Sequence, residues 1–159
     1  MSEHNVILDV QNLRTYFPIK GGVVRKTVGY VHAVENVSFQ IREQETFGLV
    51  GESGCGKSTT GRTILRLIEP TAGQVLFDGE DLCTLNREAM RQKRRDMQLV
   101  FQDPYASLNP RMTVADIIAE GIDIHGLAQN HAQRTERVYE LLNMVGLNKE
   151  HANRFAHEF

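Results

Sequence analysis

An α/β fold is the architecture that the sequence predicts, on three observations. A short apolar run, Phe47-Gly48-Leu49-Val50, leads into a glycine-rich turn and then into a segment compatible with a helix, the pattern of a buried strand feeding a helix. Residues 6–17 alternate loosely between apolar and polar, as a half-buried strand does, and a second strand is expected around 31–41. Further on, Val138, Leu141, Leu142 and Val145 follow the i, i+3, i+4, i+7 spacing of an amphipathic helix. Strands therefore dominate the first half and helices the second.

Each element has its own local reason. Pro18 with Gly21, Gly22 and Gly29 interrupts the first strand pattern and predicts an irregular loop before the second strand. The helix after the glycine-rich turn is expected over 57–68, stopped by Pro70. Residues 73–77 read as a strand closed by the Asp78-Gly79 turn, and Asn86 suits the cap of a polar helix running to about residue 96. An apolar strand is expected over 97–101. Thr113, with Asp116 three residues on, resembles a capping box for a helix that turns Val114, Ile117 and Ile118 inward. Gly146 is placed to stop the helix that carries Val138, and residues 152–159 begin another helix or turn.

Composition excludes several classes. With 41% hydrophobic residues over 159 positions and a net charge of -2, the chain reads as globular. Its 18 Lys and Arg against 20 Asp and Glu provide no global excess of positive charge for nucleic acid or anionic lipid. No run approaches the roughly 18 apolar residues needed to span a bilayer. The start, Met1-Ser2-Glu3-His4-Asn5, lacks the basic and apolar stretches of a secretory signal, and a cytoplasmic location is expected. Cys55 and Cys83 are read as free thiols, and the six histidines show no metal-ligand spacing. The basic cluster Arg91, Lys93, Arg94 and Arg95 lacks interleaved aromatics and is read as a solvated helix face rather than a nucleic-acid surface.

The chemistry is concentrated at Gly51-Glu52-Ser53-Gly54-Cys55-Gly56-Lys57-Ser58, which matches the phosphate-loop pattern GxxxxGK[ST] between an apolar run and a helix. Glycines at Gly51, Gly54 and Gly56 let the backbone curl and aim the N–H groups of Ser53, Cys55 and their neighbours at phosphate oxygens, at a helix end whose dipole already favours anions. Lys57 would offset the charge of the β- and γ-phosphates. Ser58 would offer a hydroxyl to Mg²⁺, and Thr59 would bond on the α-phosphate side. The motif is shared by GTPases, kinases and several ATPases. A GTPase would carry Asn-Lys-x-Asp, but Asn148-Lys149 is followed by Glu150 and His151.

Residues Val100-Phe101-Gln102-Asp103-Pro104-Tyr105-Ala106-Ser107-Leu108-Asn109-Pro110-Arg111-Met112-Thr113-Val114 closely resemble the Q-loop region of ABC transporter ATPases, above all the importers of oligopeptides, dipeptides, nickel and glutathione. Val34-Glu35-Asn36-Val37-Ser38-Phe39 and Pro70-Thr71-Ala72-Gly73-Gln74-Val75 resemble segments on either side of that family's phosphate loop. The resemblance implies ATP and Mg²⁺ as ligands. It gives Gln102 a catalytic role in contacting Mg²⁺ and the attacking water, which suits an amide that both donates and accepts. It also places an adenine-stacking aromatic in Leu13-Arg14-Thr15-Tyr16-Phe17-Pro18, with Tyr16 the choice on motif position and Phe17 and Tyr30 as alternatives; either strand aromatic could instead pack in the core.

The implied organisation is an ATPase core over 1–101, with an antiparallel β portion and the phosphate loop at 51–58, and then the Q-loop and start of a helical subdomain over 102–159. The implied partners are a second ATPase subunit and transmembrane permease subunits that meet the region after Gln102 at the inner face of the membrane. Arg154-Phe155-Ala156-His157-Glu158-Phe159 resembles the approach to the signature Ser-Gly-Gly-Gln, which does not follow within these residues. A Walker B strand with its glutamate is also absent from them: Val75-Leu76-Phe77-Asp78 ends in a turn, and Gln102 interrupts the run before Asp103. The expectation is an N-terminal part that binds Mg-ATP without turning it over. Alternatives are a soluble ABC ATPase of translation or DNA repair, and a nucleotide-binding module without hydrolysis.

Overall fold

The structure is a computed structural model that describes residues 5–22, 25–103 and 107–159. Residues 104–106 of the Q-loop-like segment, residues 23 and 24 of the expected loop and the N-terminal residues 1–4 lie outside the described residues. The chain divides into two compact units, Met1–Met97 and Gln98–Phe159.

The first unit is built on a long antiparallel hairpin of β1 (Val6–Gly21) and β2 (Lys26–Arg42). On its other side β1 pairs antiparallel with β3 (Ala72–Phe77), which pairs with the short β4 (Glu80–Asp81), so the sheet order is β2-β1-β3-β4. Where the irregular loop is expected from Pro18 onward, β1 continues to Gly21 with a register shift between Ile19 and Lys20, and β2 resumes at Lys26. Pro18 pairs opposite Tyr30, four residues past Arg14, the last β1 residue that pairs with β3. With a neighbour on one side only, the strand tolerates a residue that has no N–H to donate. Between β3 and β4, Asp78 and Gly79 both have positive φ, 51° and 76°, as a two-residue hairpin turn with the right-handed strand twist requires.

The core of this unit joins Val10, Leu13, Val34 and Val75 from the sheet to Leu82 and Met90 beyond it, with Ile64 of α1 packed alongside. Helix α1 (Lys57–Ile64) follows the glycine-rich turn and ends earlier than Pro70 requires. Arg66 takes φ 49° and closes the helix: its N–H donates to Thr63 O (2.9 Å) and that of Leu67 to Arg62 O (2.9 Å), a Schellman arrangement with arginine where glycine is usual. The last carbonyls, of Leu65 and Arg66, accept from the Arg94 guanidinium at 3.2 and 2.8 Å. Arg94 comes from just past α2 (Arg87–Lys93), which Asn86 caps as expected by accepting from the Ala89 N–H. The basic cluster is therefore only partly a solvated face, because Arg94 closes α1 and Lys93 pairs with Glu80 at 2.9 Å.

Two expected strands do not form. Residues 47–50 and 97–101 join no ladder; Val50 is 89% and Val100 92% exposed. A strand needs a neighbour for its N–H and C=O groups, and apolar runs identify candidates without supplying that neighbour. Phe47 stacks on Phe39 of β2 with ring centroids 4.8 Å apart, and Met97 packs against the core.

In the second unit, helices α3 (Val114–Ile124) and α4 (His131–Met144) pack through Ala119, Ile122, Val138 and Leu142. Thr113 caps α3 by accepting from the Asp116 N–H, but the return half of the expected capping box is altered. The Asp116 carboxylate accepts from the Thr113 hydroxyl instead of its backbone, one methylene short of the reach of Glu. Gly146, φ 77°, stops α4 with its N–H on Asn143 O and that of Leu147 on Leu142 O. Single-turn helices at Lys149–Asn153 and Ala156–Glu158 follow, and Thr113 bridges to Phe155.

The seam between α1 and β1 contains one buried polar contact, between the hydroxyls of Thr15 and Thr63 at 3.1 Å, both side chains being closed to solvent. Removing one partner strands a buried hydroxyl. Thr63→Val should cost about 1–3 kcal/mol in urea unfolding, and Thr15→Val with Thr63→Val together should cost less than the sum of the two single changes. Strict additivity would show that the two hydroxyls do not depend on each other.

Candidate functional site

The glycine-rich turn of residues 51–56 folds as a curled loop onto the first turn of α1. Gly54 and Gly56 have φ of 82° and 97°, the left-handed region where a side chain is strained. Gly56 has a second constraint: a Cβ placed on it would lie 2.1 Å from the carbonyl oxygen of Ala33 in β2. Only glycine lets the loop lie backbone against backbone on that strand. Cys55 N–H turns back to Glu52 O at 3.3 Å, and the Cys55 thiol lies where a side chain on Gly51 would be.

Gly56 is also the N-cap of α1, and no side chain caps this helix, whereas Asn86, Thr113 and Asn130 cap α2, α3 and α4. The helical ladder begins with Thr60 N–H to Gly56 O at 2.8 Å, so the N–H groups of Lys57, Ser58 and Thr59 precede it. Donors at a helix start, next to the positive end of the dipole, form an anion site when a ligand supplies the acceptors. Lys57 curls over the same loop: its Nζ donates to Gly51 O (2.7 Å) and Glu52 O (2.6 Å), with the Cys55 Sγ at 3.5 Å. The ammonium is thus held at the loop rather than extended into solvent. Ser58 and Ser53 are exposed and Thr59 is half-buried.

Tyr16 is half-buried on β1, directly opposite His32 of β2, and so packs in no core; Phe17 and Tyr30 are exposed. Its ring stacks on His32 with centroids 4.0 Å apart and planes 16° from parallel. The phenol donates to Glu35, at 2.9 and 2.7 Å from its two oxygens, and the backbone N–H donates to Thr71 Oγ1. The Glu35 carboxylate also meets His32 Nδ1 at 2.9 Å and Arg14 Nε at 3.5 Å. These partners set the charges. The Tyr16 hydrogen bond, then His32 and Arg14, hold the Glu35 carboxyl below its ordinary range, and the same bond to Glu35 raises the Tyr16 phenol above its own. At neutral pH the pair is phenol and carboxylate. His32, the strand residue just before Ala33, ties this cluster to the point where Gly56 touches β2.

The structure therefore brings the loop residues and α1 together in the first unit and sets Tyr16 on the strand paired with the one the loop touches. Gln102 is exposed and belongs to the second unit. Asp78, a possible strand-end acid, sits in the β3–β4 turn, and the run before Asp103 is no strand. Reading the sequence missed His32, Glu35 and Arg14 as neighbours of Tyr16; the strand register that pairs Tyr16 with His32 across the hairpin is seen only in the structure.

Comparison with known proteins agrees with this geometry. A family model described as ABC transporter matches residues 34–159, which include the whole loop and α1. The chain belongs to the ABC transporter family. It is 56% identical over 154 residues to the oligopeptide transport ATP-binding protein OppF of Bacillus subtilis (strain 168), covering 96% of this chain and 48% of that protein. It is 50% identical over 153 residues to the glutathione import ATP-binding protein GsiA of Pectobacterium atrosepticum, of which it covers 24%. The chain thus spans about half the length of the first relative and a quarter of the second. Among solved structures, a dimeric ATP-binding cassette in a post-hydrolysis state, bound to ADP and phosphate, superposes with a TM-score of 0.74 at 27% identity, covering 96% of this chain and 62% of that one. The cbiO1 subunit from Clostridium perfringens, at 22% identity and a TM-score of 0.68, shares the fold. This ABC cassette fold is the α/β architecture expected from the sequence.

Gly56 and Gly61 make a matched test of the loop. Gly61→Ala, inside α1 with open space around its Cβ position, should stabilise the chain by roughly 0.5–1 kcal/mol. Gly56→Ala should destabilise it by more than about 1 kcal/mol, because both φ and the Ala33 carbonyl oppose the new methyl. Urea midpoints of the two variants moving in the same direction would contradict the loop geometry.

Proposed function

We propose that the chain is the nucleotide-binding part of an ATP-binding subunit that powers import of peptides or related solutes, and that its own task is to hold Mg-ATP at residues 51–59. The observation that carries this reading is the start of α1, where unclaimed helix N–H groups, a glycine cap and the Lys57 ammonium converge on one loop. Three negatively charged phosphates need this combination of donors and cation.

Each residue has an assigned part. The loop backbone from Gly51 through Gly54 and Gly56, with Ser53 and Cys55, wraps the phosphates; Lys57 exchanges a carbonyl partner for phosphate oxygens. Thr59 donates near the α-phosphate. Ser58 fits Mg²⁺, because its exposed hydroxyl is a hard oxygen donor and this ion takes few protein ligands besides phosphate and water. Tyr16 stacks on adenine. Gln102 contacts the metal and orients water, an assignment that rests on its motif.

The names of the relatives, oligopeptide transport and glutathione import, support transport over a translation or repair role. By the same reading, the intact subunit hydrolyses ATP, pairs with a second ATPase subunit, and meets permease subunits through the region after Gln102 at the cytoplasmic face of the membrane. No nucleic-acid partner is part of the reading. On this reading these 159 residues bind Mg-ATP without turnover, since the two acids that end apolar runs are not placed as a base: Asp78 lies in a hairpin turn and the run before Asp103 is no strand.

Calorimetry provides the test. Lys57→Ala should weaken Mg-ATP binding at least about tenfold, equivalent to roughly 1.4 kcal/mol, while phosphate release by the unchanged chain stays at background. Unaltered affinity in this variant would remove the phosphate-loop assignment. Steady ATP hydrolysis that disappears with Lys57→Ala would instead overturn the assignment of binding without turnover.

A further inference from the structure

Tyr16 is restrained from three directions. His32 covers one face of its ring at 4.0 Å, Glu35 accepts from its hydroxyl at 2.7 and 2.9 Å, and its backbone N–H is tied to Thr71. Glu35 is restrained in turn by His32 Nδ1 and Arg14 Nε, so the ring, the imidazole and the carboxylate form a closed triangle. No other ring stacks on Tyr16 among the described residues. A tyrosine has two main side-chain torsions. The hydrogen bond at one end and the stack along the plane fix both before any base arrives.

We infer that His32 and Glu35 are positioning residues for the nucleotide base: they hold the Tyr16 ring in a fixed plane, with His32 behind it, so that adenine completes a three-layer stack on the remaining face. The inference rests on the reading that Tyr16 stacks on adenine. Its physical basis is preorganisation. A rotamer-rich side chain that must be immobilised on binding reduces affinity by about two- to tenfold, and a ring already held by its neighbours avoids that loss. Aromatic faces stacked in offset, near-parallel layers also favour one another beyond the area they bury. As a surface ion pair the cluster would do little, because half-exposed pairs of this kind contribute almost nothing to stability.

The test separates base from phosphates. The 159-residue chain and its variants are titrated by calorimetry with Mg-ATP and, as a probe without a base, with magnesium tripolyphosphate. His32→Ala and Glu35→Ala should each weaken Mg-ATP about three- to tenfold and leave tripolyphosphate affinity unchanged. His32→Phe, which keeps a flat ring behind Tyr16, should restore most of the ATP affinity. In a Tyr16→Ala background, His32→Ala should add nothing further, since the residue then has no ring to position. If Tyr16→Ala weakens ATP while His32→Ala and Glu35→Ala do not, the positioning role is wrong and adenine stacking on Tyr16 stands. If Tyr16→Ala leaves ATP binding intact although Lys57→Ala destroys it, the stacking assignment itself fails. An equal loss of tripolyphosphate in His32→Ala, or an additive loss in the double variant, would overturn the inference by showing a general structural effect.

Discussion

The backbone of Gly56 lies so close to the carbonyl of Ala33 that no side chain fits between them, and the rest of the site is arranged around that contact. It seats the loop on β2, and the loop in turn sets the start of α1 against the sheet. From there Thr63 reaches Thr15 on β1, and Ile64 joins the core of Val10, Leu13 and Val75. The C-terminal end of the helix is closed from the other side by Arg94 on the carbonyls of Leu65 and Arg66. α1 is only eight residues long, too short to be stable alone, and its position comes from these attachments rather than from helix propensity.

Features encoded within a few residues of one another were legible in the sequence. The Asp78-Gly79 turn, the Asn86 and Thr113 caps, the Gly146 stop and the loop with its helix all appear where local chemistry places them. Features that depend on a distant partner were not. Residues 47–50 and 97–101 have strand composition but no neighbour to complete a ladder, and Pro18 looked like a breaker because the one-sided pairing of β1 beyond Arg14 cannot be seen locally. Arg66 in a left-handed cap went unrecognised for the same reason, since its guanidinium is held by Leu82 and Leu85 across the fold.

The site divides along the same line. The phosphate-loop residues form a contiguous motif, so their chemistry could be read one by one. The surroundings of Tyr16 could not, because His32 and Glu35 come from the opposite strand and the expected loop over 18–29 concealed the hairpin that carries them. Electrostatics then follow from geometry: a carboxylate held low by a phenol, an imidazole and a guanidinium is a dependable acceptor at neutral pH.

The Gly56–Ala33 contact and the Tyr16–His32 stack occupy adjacent positions on a single strand of one paired hairpin. Two anchors mounted on a shared rigid ladder work as a calliper with a set opening. On the proposed assignment, a nucleotide would be gauged by the span between its ring system and its phosphate tail, and a molecule with the right groups at the wrong separation would engage only one jaw at a time.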